Sequence, residues 1–496
     1  MRDEASHPIS VQSPSNFGKL IFLNLFFLTF LLVFSQASAH SPQITTAQLN
    51  SQSVGETAVI NGTSTSIYLP LIRKPHDTYY VSKNGNNTTG QSWASAWNEL
   101  DQIDWSVIGP GNTIVLDGGS SQMTYRTTLL LEDISGSSEN PITIRLSTED
   151  GRDGQAVFFG GRSTLLPYCN QANYTFQENG VNSYGVFIEN SSHIVIDGSK
   201  RSGIYIYGNN INGMRFNFNT SHFTVRNLEV YDNGFAERSG STWVPNSAGI
   251  RIAGHNHLFE KMIVHDNGQD AFQSGAGQSP NFNINNLDNL TIRESWLYNG
   301  RQHPTVNESA NYCSHTDGLQ VNRGGNVENV TIEQTIIGPG FTNGVILGQT
   351  LTSNGAQASL HNVTLRDVLF MKAADNSIRG YVDTNPTGWV VDNVTSHCPQ
   401  TKGHCIYLEG NNHTVTDSIF VYAAVTFPDG LDTSSNNCQY EASGVVIGTE
   451  ANPQFANVND NNMFSLDNYA VSGSSACSGK GTSITTVNQL LSLIDN

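Results

Sequence analysis

The stretch Gly249-Ile-Arg-Ile252, followed by Leu258-Phe-Glu-Lys-Met-Ile-Val264 and the turn Asp266-Asn-Gly268, contains the repeating unit that decides the fold. Its first half is a small residue followed by an apolar residue, a residue expected to be exposed, and a second apolar residue. Its second half is a strand that ends at a turn, and Asn-Gly turns between alternating segments are typical of β structure. The first half recurs, in chain order, from Gly185, Gly213, Ala271, Gly318 and Gly344, and the second half recurs from Phe223 and Leu290.

The spacing of the repeat predicts a solenoid. The successive small residues from Gly185 to Gly344 lie 28, 36, 22, 47 and 26 residues apart. The shortest spacing is about one coil of three strands, and the longer ones require loops outside the coil. No helical pattern alternates with the strands, which argues against a doubly wound α/β fold. We therefore predict an all-β, single-stranded parallel β-helix, with an antiparallel sandwich as the structural alternative.

The two ends of the chain lack this repeat. Residues 1–39 combine an apolar run from Leu20 to Phe34 with the small-residue site Ala37-Ser-Ala39, which is typical of a secretory signal peptide. An N-terminal membrane anchor is the alternative. Residues 40–76 are interpreted as a flexible linker because they are rich in Ser, Thr, Gln and Ala. We expect the β-helix to span residues 77–430, and the last coils with a C-terminal cap to span residues 431–496.

A short capping helix is expected at the N-terminal end of the stack. Trp93, Trp97, Leu100 and Ile103 lie at helical spacing. Open ends of a solenoid need a cap, and an amphipathic helix of this length would cover the first coil.

Composition limits the partners and the compartment. The net charge is −18 and only 13% of residues are charged, so we expect no nucleic-acid partner. Six cysteines are compatible with disulfides outside the cytoplasm. Cys398 with Cys405, and Cys438 with Cys477, are candidate pairs, although spacing alone leaves the connectivity open. We predict a secreted monomer that has no membrane contact once the leader is removed.

Stacking the coils in register turns repeat positions into columns, with neighbours roughly 4.8 Å apart. The exposed column of the first strand contains Phe187, Arg215, Arg251, Gln273, Gln320 and Ile346. The column just before the small residue contains Asn212, Ala248, Asp270, Asp317 and Asn343. Two arginines therefore lie beside two glutamines, and two carboxylates stack at the centre.

The sharpest local signal is an Asp three residues before a Gln, present in Asp270–Gln273 and again in Asp317–Gln320. Two carboxylates in a partly dry groove could act as acid and base, or hold a metal such as calcium. The structural alternative is that an Asp at a strand start caps a turn.

Two long insertions lead into the same strand and would wall one side of a groove. Residues 234–247 carry Trp243, and residues 300–316 carry Tyr312 and His315. Either aromatic side chain could stack on a sugar ring, the alternative being packing against the coil beneath. The unperturbed pKa of histidine suits proton transfer near neutrality, so His315 is a candidate for that role. The predicted substrate contacts are Arg215, Gln273, Gln320, Arg323, Trp243 and Tyr312.

Three further segments carry a family resemblance: Tyr79-Tyr-Val-Ser-Lys-Asn-Gly85, Gly111-Asn-Thr-Ile-Val-Leu116 and Asn140-Pro-Ile-Thr-Ile144. With the repeat, they make residues 78–430 resemble the pectin-lyase-like superfamily of right-handed parallel β-helices. That resemblance implies a secreted protein of the polysaccharide lyase or hydrolase type. One fold hosts several chemistries, so it does not decide the reaction.

The chain departs from the lysine-using pectate lyases, which the Asp-Ala-Phe and Asp-Gly-Leu coils otherwise resemble. Gly275 stands where that group has its lysine, and Thr316 and Gln320 stand where it has further aspartates. The lysine mechanism is therefore not transferred to this chain.

Three functions remain open. In a lyase acting on a uronate-containing glycan, Arg215 and Arg251 would bind the sugar carboxylate, and Arg251 or His315 would be the base; Asp270 and Asp317 could hold calcium. In a hydrolase of the polygalacturonase kind, Asp270 and Asp317 would be acid and base, assisted by His315. The third function is non-catalytic glycan binding.

Overall fold

The computed structural model describes the chain in segments: residues 57–60, 63–66, 77–163, 179–217, 219–234, 237–239, 242–244, 248–274, 287–300, 316–322, 327–349, 360–371, 376–382, 387–398, 403–455 and 469–482. The chain divides into two compact units, Met1–Lys74 and Pro75–Asn496. In the first unit, Thr57–Ile60 and Thr63–Ser66 form an antiparallel hairpin within the predicted linker. The predicted signal peptide lies outside the described residues.

The second unit is built from coils of up to three strands, which stack into three parallel sheets. The first sheet has ten strands: Leu129–Glu132, Tyr184–Glu189, Asn212–Phe216, Ile250–Ile252, Phe272–Ser274, Asp317–Asn322, Asn343–Gln349, Asn376–Val382, His404–Leu408 and Ala424–Thr426.

Each first-sheet strand is followed along the chain by a strand of the second sheet, which also has two earlier strands. Its strands are Thr78–Val81, Thr113–Leu116, Ile142–Leu146, Ser192–Asp197, Ser221–Arg226, Gly254–Glu260, Leu287–Arg293, Val327–Ile337, Leu360–Met371, Thr387–Asp392, Thr414–Thr416 and Thr433–Ser435.

The third sheet completes the coil. Its strands are Gln122–Tyr125, Gln155–Phe159, Ile204–Tyr207, Leu228–Tyr231, Ile263–His265, Trp296–Tyr298, Thr395–His397, Ile419–Val421, Asn437–Tyr440 and Gly448–Glu450. Val327–Ile337 and Leu360–Met371 run through the corner and belong to both the second and the third sheet. A short antiparallel pair, Glu237–Ser239 with Thr242–Val244, lies in the loop before Ile250.

The described strands confirm a right-handed parallel β-helix, the fold that the resemblance implied. Every pairing within the three sheets is parallel, and successive coils pair with one another, as in Ser221–Arg226 with Gly254–Glu260. Parallel crossover connections of this kind are right-handed in nearly all proteins. The inward side chains form one continuous apolar core, which runs through Ile196, Val225, Phe259 and Ile292 in the second sheet.

The interior explains why a small residue begins each first-sheet repeat. A Cβ atom on Gly249 would lie 2.8 Å from Cγ1 of Val264, and one on Gly318 would lie 2.6 Å from Cγ2 of Ile337. Both neighbours are buried side chains of the third sheet. Any larger residue at these positions would overpack the core. The register of the repeat is therefore set by contact across the coil.

The corner between the second and third sheets is a single residue in the left-handed conformation. Asn227, Lys261, Glu294 and Gln334 occupy it in successive coils, with φ between 47° and 63°. Asparagine is favoured in this conformation, but lysine, glutamate and glutamine also adopt it here. The corner geometry is therefore fixed by the stacking of coils more than by residue type.

The predicted capping helix is wrong in its form, because the segment pairs with the first strand instead. The Trp97 N–H donates to the Tyr80 carbonyl at 3.0 Å, and the Ser82 N–H donates to the Trp97 carbonyl at 2.8 Å. These bonds take the groups that a helix would use, and only two short 3-10 helices follow, Leu100–Gln102 and Trp105–Val107. Trp97, Leu100 and Ile103 are buried as the apolar pattern predicted.

Both candidate disulfides are present. Cys398 is bonded to Cys405, and Cys438 is bonded to Cys477. In the part of the chain that the structure describes, no helix is long and apolar enough to cross a membrane.

Candidate functional site

The outward column of the first sheet has the register that the sequence predicted. Arg215 pairs with Phe187 on one side and with Arg251 on the other. Arg251 then pairs with Gln273, Gln273 with Gln320, and Gln320 with Ile346. The column continues with Arg379 and Tyr407. Phe187, Arg215 and Arg251 are half-buried, whereas Gln273, Gln320 and Ile346 are buried.

The two arginines lie side by side on adjacent strands. The Arg215 guanidinium donates through Nη1 to the Tyr184 hydroxyl at 3.0 Å and lies 5.4 Å from the centroid of that ring. Burial, and secondly the charge of Arg215, lower the pKa of Arg251 to about 10, while Tyr184 and Asp270 oppose that shift. An arginine with this pKa is deprotonated far more readily than one in water.

Tyr184 is a site residue that the sequence reasoning missed. It precedes Gly185, so it holds the same position in its coil as Asn212 in the next, and the two are in register. Its ring packs against Phe187 with centroids 5.3 Å apart. Extending the column that begins at Asn212 by one coil towards the N-terminus would have found it.

The two glutamines form a linked pair. The Gln273 amide Nε2 donates to Asp270 Oδ2 at 2.9 Å and to Gln320 Oε1 at 3.1 Å. The repeated Asp–Gln spacing therefore corresponds to a real contact in the first of the two coils. The two glutamines follow the two arginines along the same outward column.

Asp270 and Asp317 are fully buried and belong to a hydrogen-bonded ladder. Asp270 Oδ1 accepts from the Asp317 N–H at 2.8 Å. Asp317 Oδ1 accepts from the Asn343 N–H at 3.1 Å and from its amide Nδ2 at 2.7 Å. Asn343 Oδ1 accepts from Asn376 Nδ2 at 2.7 Å. These contacts are those of the turn-capping alternative, and a catalytic role for either carboxylate stays a prediction.

The same contacts bear on the calcium hypothesis, which also involves Asp270 and Asp317. Calcium takes six to eight oxygen ligands. Both oxygens of Asp270, and Oδ1 of Asp317, already accept protein N–H groups. Across the described segments, no group of three or more His, Cys, Asp or Glu residues could hold a metal ion. The described partners of Asp270 and Asp317 are therefore protein N–H groups, and a calcium site at this pair stays a prediction.

The other predicted site residues cannot be placed against this column. His315, Tyr312 and Arg323 lie outside the described residues. Trp243 belongs to the strand Thr242–Val244, of which the structure describes the backbone.

Comparison with known proteins gives structural likeness only. No family model matches the chain, and no curated protein does. A pectate lyase is similar at 16% identity over 80% of this chain and 90% of its own, with a TM-score of 0.37. An alginate lyase from Paenibacillus is 11% identical over 70% of this chain and 97% of its own, with a TM-score of 0.29. The Dettilon tailspike protein is 11% identical over 74% of this chain and 67% of its own, with a TM-score of 0.39.

These scores are low, so the class of the protein rests on its own strand pairing. It is a right-handed parallel β-helix with a cationic and aromatic patch, Tyr184, Phe187, Arg215 and Arg251, on the outer side of its first sheet.

Proposed function

We propose that this chain is a secreted enzyme that cleaves a uronate-containing polysaccharide by β-elimination at Arg215 and Arg251. The observation that carries the proposal is the pair of half-buried guanidinium groups on adjacent strands of one outward column. Two cations held side by side repel each other, most strongly where water is partly excluded. A sugar carboxylate between them relieves that repulsion and can accept paired N–H bonds from a guanidinium.

Elimination needs the sugar carboxylate neutralised, because the proton on the neighbouring carbon then becomes acidic enough to be removed. Arg215 stays charged and holds the carboxylate. Arg251 acts as the base in its neutral form, which its pKa of about 10 makes accessible. The bond between C4 and its glycosidic oxygen breaks, and a double bond forms between C4 and C5.

The geometry favours elimination over hydrolysis. A glycosidase needs two carboxyl groups that flank the scissile bond and reach it. Asp270 and Asp317 are buried and accept hydrogen bonds from the backbone of the next coil. Non-catalytic glycan binding uses the same arginine pair, and only turnover separates it from elimination.

The test is a panel of uronate and neutral polysaccharides incubated with the protein, with and without a chelator. We expect ultraviolet absorbance from a new double bond, at a rate that rises with pH towards about 10 and that the chelator leaves unchanged. Arg251→Gln should lower kcat by ~100-fold or more, the usual effect of removing a general base. Arg366→Gln, on the outer side of the second sheet, is the matched control and should leave kcat unchanged.

Three results would contradict the proposal. Reducing ends without unsaturated product indicate hydrolysis. Binding without any product indicates a glycan-binding protein. Full activity in Arg251→Gln would exclude this site as the place of reaction.

A further inference from the structure

The Tyr184 side chain bonds directly to one of the two arginines from the neighbouring coil. Its hydroxyl accepts from Arg215 Nη1 at 3.0 Å. It is half-buried on the same outward side as Arg215 and Arg251. We infer that Tyr184 is the general acid that protonates the departing glycosidic oxygen, an inference that rests on the proposed elimination.

The hydrogen bond leaves the phenolic proton for the substrate. A tyrosine hydroxyl has one proton to donate and lone pairs that accept. Arg215 has no acceptor, so it can only donate to this hydroxyl. The phenol oxygen therefore accepts from Arg215, and its own proton points to another acceptor.

The two arginines can also stabilise the charge that develops on the phenol oxygen in the transition state. Phenolate forms as the proton leaves, and nearby cations stabilise a developing negative charge. The Arg215 guanidinium lies both at the hydroxyl and 5.4 Å from the ring centroid.

The order of the three residues along the β-helix suits one sugar ring. Tyr184 lies on the strand before Arg215, and Arg251 lies on the strand after it. At the ordinary spacing of adjacent strands, acid and base are roughly 10 Å apart along the axis, with the carboxylate-binding Arg215 between them. The side chains would converge from either side of Arg215 on the adjacent C5–H and C4–O bonds of a uronate whose carboxylate lies on Arg215.

The proton balance closes within the site. Neutral Arg251 takes the C5 proton and becomes a guanidinium, and the electron pair forms the C4–C5 double bond. The C4–oxygen bond breaks, and the leaving oxygen takes the proton of Tyr184. After product release, the proton on Arg251 returns to the Tyr184 phenolate through water, and no further reactant is consumed.

The test compares two substrates in Tyr184→Phe. One is the natural polymer, and the other is a uronate that carries 4-nitrophenoxide at C4, a leaving group that needs no acid. We expect kcat on the polymer to fall by ~100-fold or more with KM little changed, whereas kcat on the activated substrate stays within about threefold of wild type. Tyr207→Phe, a half-buried tyrosine on the outer side of the third sheet, is the matched control and should not change either rate.

Equal losses on both substrates would overturn the inference, because a merely structural tyrosine slows both. Unchanged turnover of the polymer would overturn it as well. If wild type forms no unsaturated product from either substrate, the proposed elimination itself fails and this inference fails with it.

If Tyr184→Phe does not fold, 3,5-difluorotyrosine at position 184 keeps the size and hydroxyl but lowers the phenol pKa. The pH profile of polymer turnover should then differ from that of the wild type. A pH profile identical to that of the wild type would refute the role of Tyr184 as acid.

Discussion

Asp270 accepts hydrogen bonds from its own coil and from the next one, so its main effect should be on stability. Asp270→Ala removes the acceptors of the Asp317 N–H and the Gln273 amide. Each buried donor left without a partner costs about 1–3 kcal/mol, so we expect the free energy of unfolding to fall by about 2–4 kcal/mol. Asp270→Asn keeps the shape of the side chain and one acceptor, so its free energy of unfolding should fall by less. Chemical denaturation of the three proteins measures this.

Turnover of the same variants separates the structural role from a catalytic one. Under the proposed elimination, Asp270→Asn keeps activity as long as it stays folded. If Asp270→Asn loses turnover while its unfolding midpoint is unchanged, Asp270 acts as a catalytic acid or base.

His265 should make stability depend on pH. Its Nε2 lies 3.1 Å from Glu229 Oε1, its Nδ1 lies 2.6 Å from Asp266 Oδ2, and its ring is stacked between Tyr231 and Tyr298. Burial alone would lower the pKa of His265, but the hydrogen bonds and charges of the two carboxylates outweigh it and raise the pKa. The protonated imidazole is therefore favoured in the folded state.

The sign of the effect follows from that shift. Stabilisation by His265 is fully present below its unfolded pKa of about 6.5, and it is lost as pH rises through the higher folded pKa. We expect the melting temperature of wild type to fall over that range more than that of His265→Gln. Calorimetry at low salt across this range measures the difference, and parallel curves for the two proteins would contradict the assignment.

At the scale of strands, the outer side of the second sheet carries charges of strictly alternating sign. The residues in register, coil by coil, are Arg145, Asp197, Arg226, Glu260, Arg293, Glu333, Arg366 and Asp392. Arg226 is bonded to Asp197 at 2.8 Å, and Arg293 to Glu260 at 2.6 Å. Slipping one strand by one residue would turn its charge inward, so the ladder helps to specify register.

Arg293→Glu should therefore destabilise the stack. It would place three carboxylates on consecutive coils and remove both hydrogen bonds to the buried carboxylate of Glu260. Exposed ion pairs are worth about 0.2–1 kcal/mol, and leaving the buried Glu260 carboxylate with Arg226 as its remaining cationic neighbour in the ladder adds to this. We therefore expect the free energy of unfolding to fall by about 2 kcal/mol. Arg293→Gln should lower the free energy of unfolding by about half as much. High salt should narrow the difference between the two variants, and equal stabilities in low salt would contradict the ladder's role.

The first-sheet columns could be predicted from sequence because one small residue marks the same point in each coil. Gly249 must be small because a side chain there would clash with Val264. Aligning the coils on such small residues predicted correctly that Arg251 lies between Arg215 and Gln273. The burial of Asp270 could not be predicted in this way. It depends on which donors the turn presents, and insertions of unequal length break the periodicity there.

At the scale of the whole molecule, a solenoid is held by contacts between neighbouring coils, so its ends are its weakest part. The C-terminal segment returns across several coils. The Gly481 N–H donates to the Asp417 carbonyl, and the Thr482 hydroxyl lies 2.7 Å from the Val368 carbonyl and 3.2 Å from the Asn393 carbonyl. Cys477, bonded to Cys438, fixes the start of this segment.

The two described disulfides should therefore differ in how much they stabilise the folded protein. Cys438–Cys477 spans 39 residues, whereas Cys398–Cys405 spans 7. Because loop-closure entropy grows with loop length, replacing the long pair by serines should destabilise the protein by about 1.5 kcal/mol more than replacing the short pair. Hydrogen exchange should localise the loss to strands such as Ile419–Val421 and Asn437–Tyr440, and leave Ile142–Leu146 protected. Uniform loss of protection along the stack would mean that the coils unfold as a single unit and that the C-terminal segment does not stabilise one end selectively.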